Sequence, residues 1–328
     1  MGEPSAIITG TGMGVPDRVL TNADLEKLVD TSDEWITTRT GIRERRIAAD
    51  GDSLSRFCIE AGRHALDAAG VTPDAIDLVI LATVTPDMPF PATACTIQNE
   101  LGCRHAPAFD LSAGCSGFLY AQSVAKQFLL TSRMGHVLVI GAELLSRYVD
   151  WKDRSTCVIF ADGAGAIVMS RGEAPRGVLA SALYSDGSMV DYICRPGGGA
   201  LHPPSQAMID DRLHYIRMRG NETFKMAVRS LANVCSEVLE AAGLTAEDVD
   251  CFVPHQANRR IIDAVGQRLK LPSERCYVNI ERFGNTSSAS IPIALDEAVR
   301  AGKIRNGDVV LMAAFGAGLT WGASVVRW

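Results

Sequence analysis

The sequence has no C-x-x-C pair, and its nine cysteines, at 58, 95, 103, 115, 157, 194, 235, 251 and 276, form an odd and scattered set. Neither a disulfide framework nor a zinc ribbon fits that spacing, so a reducing, cytoplasmic setting and no metal centre are expected. Long apolar runs are also missing. The longest, 78–84 and 309–319, fall short of the roughly 20 residues that span a bilayer, so no transmembrane helix is expected. Basic charge is not in excess: 32 Lys and Arg stand against 38 Asp and Glu, a formal net charge of −6. A broad nucleic-acid surface needs a positive field, so nucleic acid is not an expected partner and any basic ligand site has to be local. The opening MGEPSA lacks the basic start of a secretory signal and has Ala6 where a myristoylation motif wants Ser or Thr; no targeting segment is read from it. The glycine cluster at 10, 12 and 14 lacks the spacing of a dinucleotide-binding loop, and Pro16 follows where a helix should be under way.

What is present is a chain of 328 residues, 47% apolar, long enough for one large two-part core or two medium domains. It repeats itself. The run AAGVTPDAIDLVI at 68–80 is echoed by AAGLTAEDVDCFV at 241–253, an offset of 173 (241 − 68). GHVLVI at 135–140 and GDVVLM at 307–312 correspond at 172 (307 − 135), and 107–111 and 276–280 are both strand-like runs leading into small-residue loops and helices. In the first pair a helical pattern stops at Gly, crosses a polar loop and enters a short strand after Asp. Duplication with alternating strands and helices predicts an α/β fold in which two similar sheets pack through central helices. The boundary is expected near 169–178, after a strand at 165–169, where Gly172, Pro175 and Gly177 break the pattern. This gives halves 1–173 and 174–328, with 196–204 reading as a mobile loop inserted in the second.

Chemistry has three candidate places. In DLSAGCSGF at 110–118, Cys115 falls at or just before a helix N-terminus, where unsatisfied N–H groups favour a thiolate and small neighbours leave room for a thioester. A small buried cysteine in a tight turn would look the same. In VPHQANRRII at 253–262, His255 follows a strand and precedes an amphipathic helix, the setting of a catalyst or of a structural histidine. In FGNTSSAS at 283–290, a polar loop opens a helix, which by itself reads as an N-cap rich in Ser and Thr. A thiol, an imidazole and a carboxamide on strand-to-helix loops of two duplicated halves are the ingredients of acyl transfer. Arg39, Arg43, Arg45 and Arg46, taken alone, read as a solvated charged face.

At GCSG 114–117, HQAN 255–258, GNTSSAS 284–290, FGAGLTWG 315–322 and TSDEWITTRTGIRERR 31–46, the chain resembles the thiolase superfamily, and closely its β-ketoacyl-acyl carrier protein synthase III family, over nearly its whole length. The resemblance implies a layered α-β-α-β-α fold with two mixed sheets around central helices. It also implies a decarboxylative Claisen condensation of an acyl-CoA primer, acetyl-CoA by default, with malonyl-acyl carrier protein, at the start of fatty-acid synthesis. Related condensing enzymes or acyltransferases of secondary metabolism, with other primers or acceptors, are the alternative. By the same resemblance Cys115 carries the acyl group, His255 and Asn285 bond to the malonyl thioester carbonyl, and the N–H groups of Cys115 and Ala317 form an oxyanion hole. The family more often has Gly at the position of Ala317, where Ala fits if its φ is negative. Trp35, Arg39, Arg154, Phe224 and Asn258 map to CoA contacts, Lys225 and Arg260 to carrier-protein contacts, and Phe90 to a residue that closes the partner's acyl pocket in a homodimer. No tightly bound cofactor is implied, acyl-CoA being a substrate.

Overall fold

Successive residues of a strand face opposite sides of its sheet, and here both sides are apolar. In the strand Leu78–Ala82, Leu78, Ile80 and Ala82 join one core while Val79 and Leu81 join a second. In Val309–Gly316, Val310, Met312 and Ala314 join that same first core, and Leu311, Ala313 and Phe315 a third. Strands buried on both faces need cover on both sides. In this computed structural model, which describes residues 3–328, the shared core also takes Phe118, Leu119 and Ala125 of helix Gly117–Thr131 and Ile291, Ala294 and Leu295 of helix Ser290–Arg300. These two helices are the middle layer between two sheets. Leu54–Ala69 and Thr93–Leu101 cover the outside of the first sheet, Gly220–Ala241 and Arg259–Leu269 the outside of the second, giving the layered α-β-α-β-α order. Met1 and Gly2, where the targeting reading begins, lie outside the described residues.

The first sheet runs in the order Pro4–Gly14, Asp162–Glu173, His136–Leu144, Leu78–Ala82, Ala108–Leu111, and the second Gly177–Ser185, Thr320–Arg327, Val309–Gly316, Cys251–Pro254. Both are mixed, with antiparallel pairs at the start of each order and parallel pairs at its end. Three pairs of strand starts share one offset of 173: 177 − 4, 251 − 78 and 309 − 136. The echoed Asp is a clasp. Asp77 N–H donates to His136 O (2.9 Å) and its carboxylate accepts from His136 N (3.1 Å); Asp250 N–H donates to Val309 O (3.0 Å) and its carboxylate accepts from Val309 N (2.8 Å).

The structure departs from the sequence reading in three places. The strand expected at 276–280 is a single bridge between Phe252 and Cys276. Gln256 Oε1 accepts from Asn279 N (3.0 Å) and Ile280 N (3.2 Å), which ends the ladder and turns the chain into the short helix Ile280–Phe283. The strand expected at 165–169 is Asp162–Glu173, so Gly172 pairs within it and the break falls at 174–176. Gly10, Gly12 and Gly14 face helix Leu54–Ala69 so closely that a Cβ would come within 2.2 to 2.3 Å of the carbonyls of Ala65, Ala61 and Phe57. The glycine cluster is a packing groove.

The third departure is Arg45, which is fully buried rather than solvated. Its guanidinium donates to Leu20 O (3.3 Å), Asn22 Oδ1 (2.8 Å) and Val158 O (2.7 Å), and burial lowers its pKa to about 10. It ties the 20–22 segment to the 158–161 segment, on which Asn285 is paired. Truncation orphans three buried acceptors, each at a cost of about 1–3 kcal/mol. Arg45→Ala is expected to lower unfolding free energy by about 3 kcal/mol or more, read as a fall in urea midpoint at unchanged slope.

Candidate active site

Cys115 and His255 sit just past strand ends, and Asn285 follows the short helix Ile280–Phe283. Ala108–Leu111 leads through a 3-10 turn at Gly114–Ser116 into helix Gly117–Thr131, so Cys115 stands just before that helix. Gly114 has φ +54, and a Cβ on it would lie 2.9 Å from Ala317 N; a Cβ on Gly316 would lie 2.5 Å from Cys115 N. Only glycines allow this approach of the 316–317 backbone to the nucleophile turn. Ala317 is not among the positive-φ residues, so its side chain is unstrained.

The Cys115 residue is partly exposed, but its thiol is set deep. Burial pushes it up to about 11, and the nearby Glu143 carboxylate adds to the rise. Hydrogen bonds from the Ser287 hydroxyl and from the N–H groups of Ala317 and Cys115 oppose this without overcoming it. The expected resting thiolate is therefore corrected: desolvation outweighs the helix N-terminus, and the neutral thiol is the form held near pH 7.

His255 is buried, and burial alone pulls its imidazole down to about 3, so the ring is neutral near pH 7. Its Nδ1 lies 2.5 Å from Ser290 Oγ, which also accepts from Gln256 N (3.3 Å). The serine oxygen has a second lone pair, so it either donates to Nδ1 or accepts from it, and in the tautomer where it donates the ring hydrogen resides on Nε2. Gln256 fixes the loop by donating to Pro254 O (2.9 Å) and Tyr277 O (3.2 Å) besides accepting from 279 and 280.

Asn285 is buried and held at both backbone groups, its N–H on Ile159 O (3.0 Å) and its carbonyl accepting from Ala161 N (2.9 Å). Its Oδ1 accepts from Ser287 N (2.9 Å), which orients the amide so that Nδ2 is the free, donating end.

One cavity of about 830 Å³ is lined by Cys115, His255 and Asn285. Trp35, Arg39, Arg154, Phe224 and Asn258 line it too, as do Lys225 and Arg260. Arg39, Arg154, Lys225 and Arg260 are exposed, so a local cationic mouth opens on an acidic chain. The guanidinium carbons of Arg39 and Arg154 each lie 5.1 Å from the Trp35 ring centroid, and that of Arg260 lies 5.3 Å from Phe224. Asn258 caps helix Arg259–Leu269, accepting from Arg260 N (2.9 Å) and donating to Arg39 O (2.9 Å). Phe90 does not line this cavity and is 84% exposed. Among the described residues no group of three or more His, Cys, Asp or Glu side chains is placed to hold a metal, and no helix is long and apolar enough to cross a membrane. Sequence reasoning missed the positioning roles of Ser290 and Gln256, although both lie inside the quoted motifs. It also missed Glu143, whose one signal is a carboxylate ending an apolar run.

A buried thiol facing two neutral hydrogen-bond donors, on two sheets of repeated topology around two central helices, defines a thiolase-fold enzyme. Residues 109–187 match the family model for 3-oxoacyl-[acyl-carrier-protein (ACP)] synthase III, and 239–328 match the model for its C-terminal part. The β-ketoacyl-[acyl-carrier-protein] synthase III of Caldanaerobacter subterraneus is 53% identical over 324 residues, 99% of this chain and 98% of the relative. The solved 3-oxoacyl-[acyl-carrier-protein] synthase III of Aquifex aeolicus is 50% identical with a TM-score of 0.91, covering 99% and 100% of the two chains. The priming β-ketosynthase of the R1128 polyketide pathway is 36% identical with a TM-score of 0.92, covering 100% and 97%. The chain belongs to the β-ketoacyl-[acyl-carrier-protein] synthase III family.

A depressed imidazole is observable without substrate. In nitrogen-detected NMR of the folded protein, the His255 ring is expected to stay neutral from pH 8 to 5, with nitrogen shifts of the Nε2–H tautomer. A midpoint near the ordinary 6.5 would contradict burial as the dominant effect.

Proposed function

We propose that this protein condenses an acyl-CoA primer with malonyl-acyl carrier protein, releasing CO₂ and CoA and starting a fatty-acid chain. The observation that carries the reading is one cavity holding a thiol and two neutral donors behind a cationic mouth. In the first half-reaction Cys115 Sγ attacks the thioester carbonyl, and the N–H groups of Cys115 and Ala317, near enough to the thiol to favour its anion, hold the oxyanion. CoA leaves and the acyl group stays on Cys115. Arg39 and Arg154 meet the nucleotide's phosphates, Trp35 its base, and Phe224 and Asn258 the pantetheine arm. Lys225 and Arg260 meet the acidic carrier protein, whose approach they speed more than they tighten.

In the second half-reaction the malonyl thioester carbonyl receives hydrogen bonds from His255 Nε2–H and Asn285 Nδ2. Loss of CO₂ drives negative charge onto that oxygen, and donors fixed in advance stabilise it where water is excluded. The enolate carbon then attacks the acyl-Cys115 carbonyl, and as the tetrahedral intermediate collapses the acyl–Sγ bond breaks, freeing Cys115 and leaving the β-ketoacyl group on the carrier protein. No proton need reach His255, in keeping with an imidazole that burial keeps neutral. The division of labour follows 1–173, which carries Cys115, and 174–328, which carries His255 and Asn285. The exposure of Phe90, with Met88 and Val84 beside it also exposed, supports a homodimer in which this segment closes the partner's acyl pocket. A cytoplasmic setting without a resident cofactor completes the proposal. The 53% identity to the β-ketoacyl-[acyl-carrier-protein] synthase III of Caldanaerobacter subterraneus exceeds the 36% to the polyketide priming enzyme, which favours the fatty-acid reading over the secondary-metabolic one.

Intact mass after mixing with acyl-CoAs of several lengths is expected to show an acyl adduct that maps to Cys115 and that malonyl-carrier protein removes as β-ketoacyl product. Cys115→Ser should lose both; full condensation by that variant would overturn the nucleophile assignment. His255→Ala and Asn285→Ala should still acylate but release CO₂ roughly 100-fold more slowly, and normal release in both would displace the malonyl site. Ser290→Ala should slow CO₂ release by about tenfold with acylation unchanged, because an unfixed Nδ1 lets the ring take the non-donating tautomer.

A further inference from the structure

A carboxylate that none of these steps uses lies against the nucleophile turn. Glu143, near the end of strand His136–Leu144, is fully buried. It accepts hydrogen bonds from Thr85 Oγ1 (2.6 Å), Ser288 Oγ (2.9 Å), Val84 N (3.1 Å), Thr83 Oγ1 (3.3 Å) and Ser287 Oγ (3.4 Å). None of the ion pairs among the described residues includes it. The Ser287 hydroxyl, which touches Glu143, is also near enough to the Cys115 thiol to favour its anion. Ser287 is held at φ +49, a conformation uncommon for a residue with a side chain, and so stands between the two groups.

We infer that Glu143, acting through the Ser287 hydroxyl, takes the Cys115 proton when the thiol attacks a thioester and returns it to the departing thiolate. The inference rests on the proposed acyl transfer. As the Sγ–acyl bond forms, the thiol hydrogen passes to Ser287 Oγ and the serine hydrogen to a Glu143 oxygen. As the carbon–sulfur bond to CoA breaks, the reverse shift delivers a proton to the CoA sulfur, so charge and atoms balance. His255 does not compete, since burial pulls its imidazole down to about 3 and leaves it a weaker base than the Glu143 carboxylate. Burial raises the Glu143 carboxyl to about 7 against hydrogen bonds from Thr85, Val84, Ser288 and Thr83 that favour its anion, a basicity matched to proton transfer near neutrality. The titratable groups facing it are Cys115 on the turn and Cys58 on helix Leu54–Ala69, whose thiol also feels Asp87 and Asp110. Both thiols are raised, so an inflection near pH 7 belongs to the carboxyl.

The test is single-turnover acylation by acetyl-CoA, followed by rapid-quench intact mass from pH 5.5 to 9.5. The wild-type rate is expected to climb to a plateau with an inflection near 7. Glu143→Gln should be roughly 100-fold slower at pH 7.5 and lack that inflection, and Glu143→Asp should restore part of the rate and the inflection. Ser287→Gly, which suits the positive φ while removing the hydroxyl, should lose the inflection with Glu143 intact, and it decides the matter if Glu143→Gln does not fold. An equal rate in Glu143→Gln would overturn the relay. A faster one would also overturn it, because removing a mere like charge frees the thiolate. If wild-type Cys115 takes no acyl group from acetyl-CoA, the proposed function fails instead, and the same profiles measured with iodoacetamide decide the relay alone.

Discussion

The site depends on one approach of backbone to backbone. The end of Val309–Gly316 comes so near the turn Gly114–Ser116 that a single methyl group at 316 would overlap Cys115 N. That contact joins the two sheets at their carboxyl ends, sets the Ala317 N–H against the thiol and closes one wall of the cavity. It is possible because the two central helices keep both sheets at fixed separation through an apolar layer, in which each buried Leu or Ile side chain contributes about 1.5–3 kcal/mol. The fold's main source of stability and the site's tightest constraint are thus the same layer seen from its middle and from its end.

Desolvation then sets the electrostatics. It pushes Cys115 to about 11, Glu143 to about 7 and His255 to about 3, so each is driven toward its neutral form. The linkage signs differ. His255, depressed in the fold, withdraws stability as pH falls from the ordinary 6.5 toward 3; Glu143, raised in the fold, adds stability below the ordinary 4.5 that is lost as pH rises through 7. A floor whose groups are driven toward neutrality stabilises developing charge by oriented N–H groups, whereas the mouth, open to water, uses whole cations. The gradient from neutral floor to cationic mouth sorts the two ends of a thioester whose polyanionic part stays outside.

The layered fold was legible because duplication leaves marks that single elements do not. The Gly and Asp of the two echoes recur because each half needs the same helix stop and the same strand clasp, at Asp77 and Asp250. Cys115, His255 and Asn285 were legible as motif residues, and the structure brings them to one cavity. What escaped was set by burial, which no local pattern records. Arg45 looked like one of four solvated arginines until its depth was known, and Cys115 looked like a thiolate at a helix start until desolvation was weighed against the dipole. Ser290 and Ser287 looked like N-cap hydroxyls, yet neither caps its helix; they bond to His255 and Glu143 instead.

The one place where the repeat fails is informative for the same reason. The first half completes its sheet with Ala108–Leu111, paired along its length to Leu78–Ala82. The equivalent segment of the second half keeps a single bridge, because Gln256 occupies the N–H groups of 279 and 280. A full fifth strand would have used those donors in the ladder and left the Gln256 Oε1 buried without partners. Instead the segment becomes a bracket for the His255 loop, and the chain it releases turns through Ile280–Phe283 into Asn285. The first half presents an attacking group and can be an ordinary strand–turn–helix, whereas the second must aim two donors at one point. Its sheet gives up a strand to hold them.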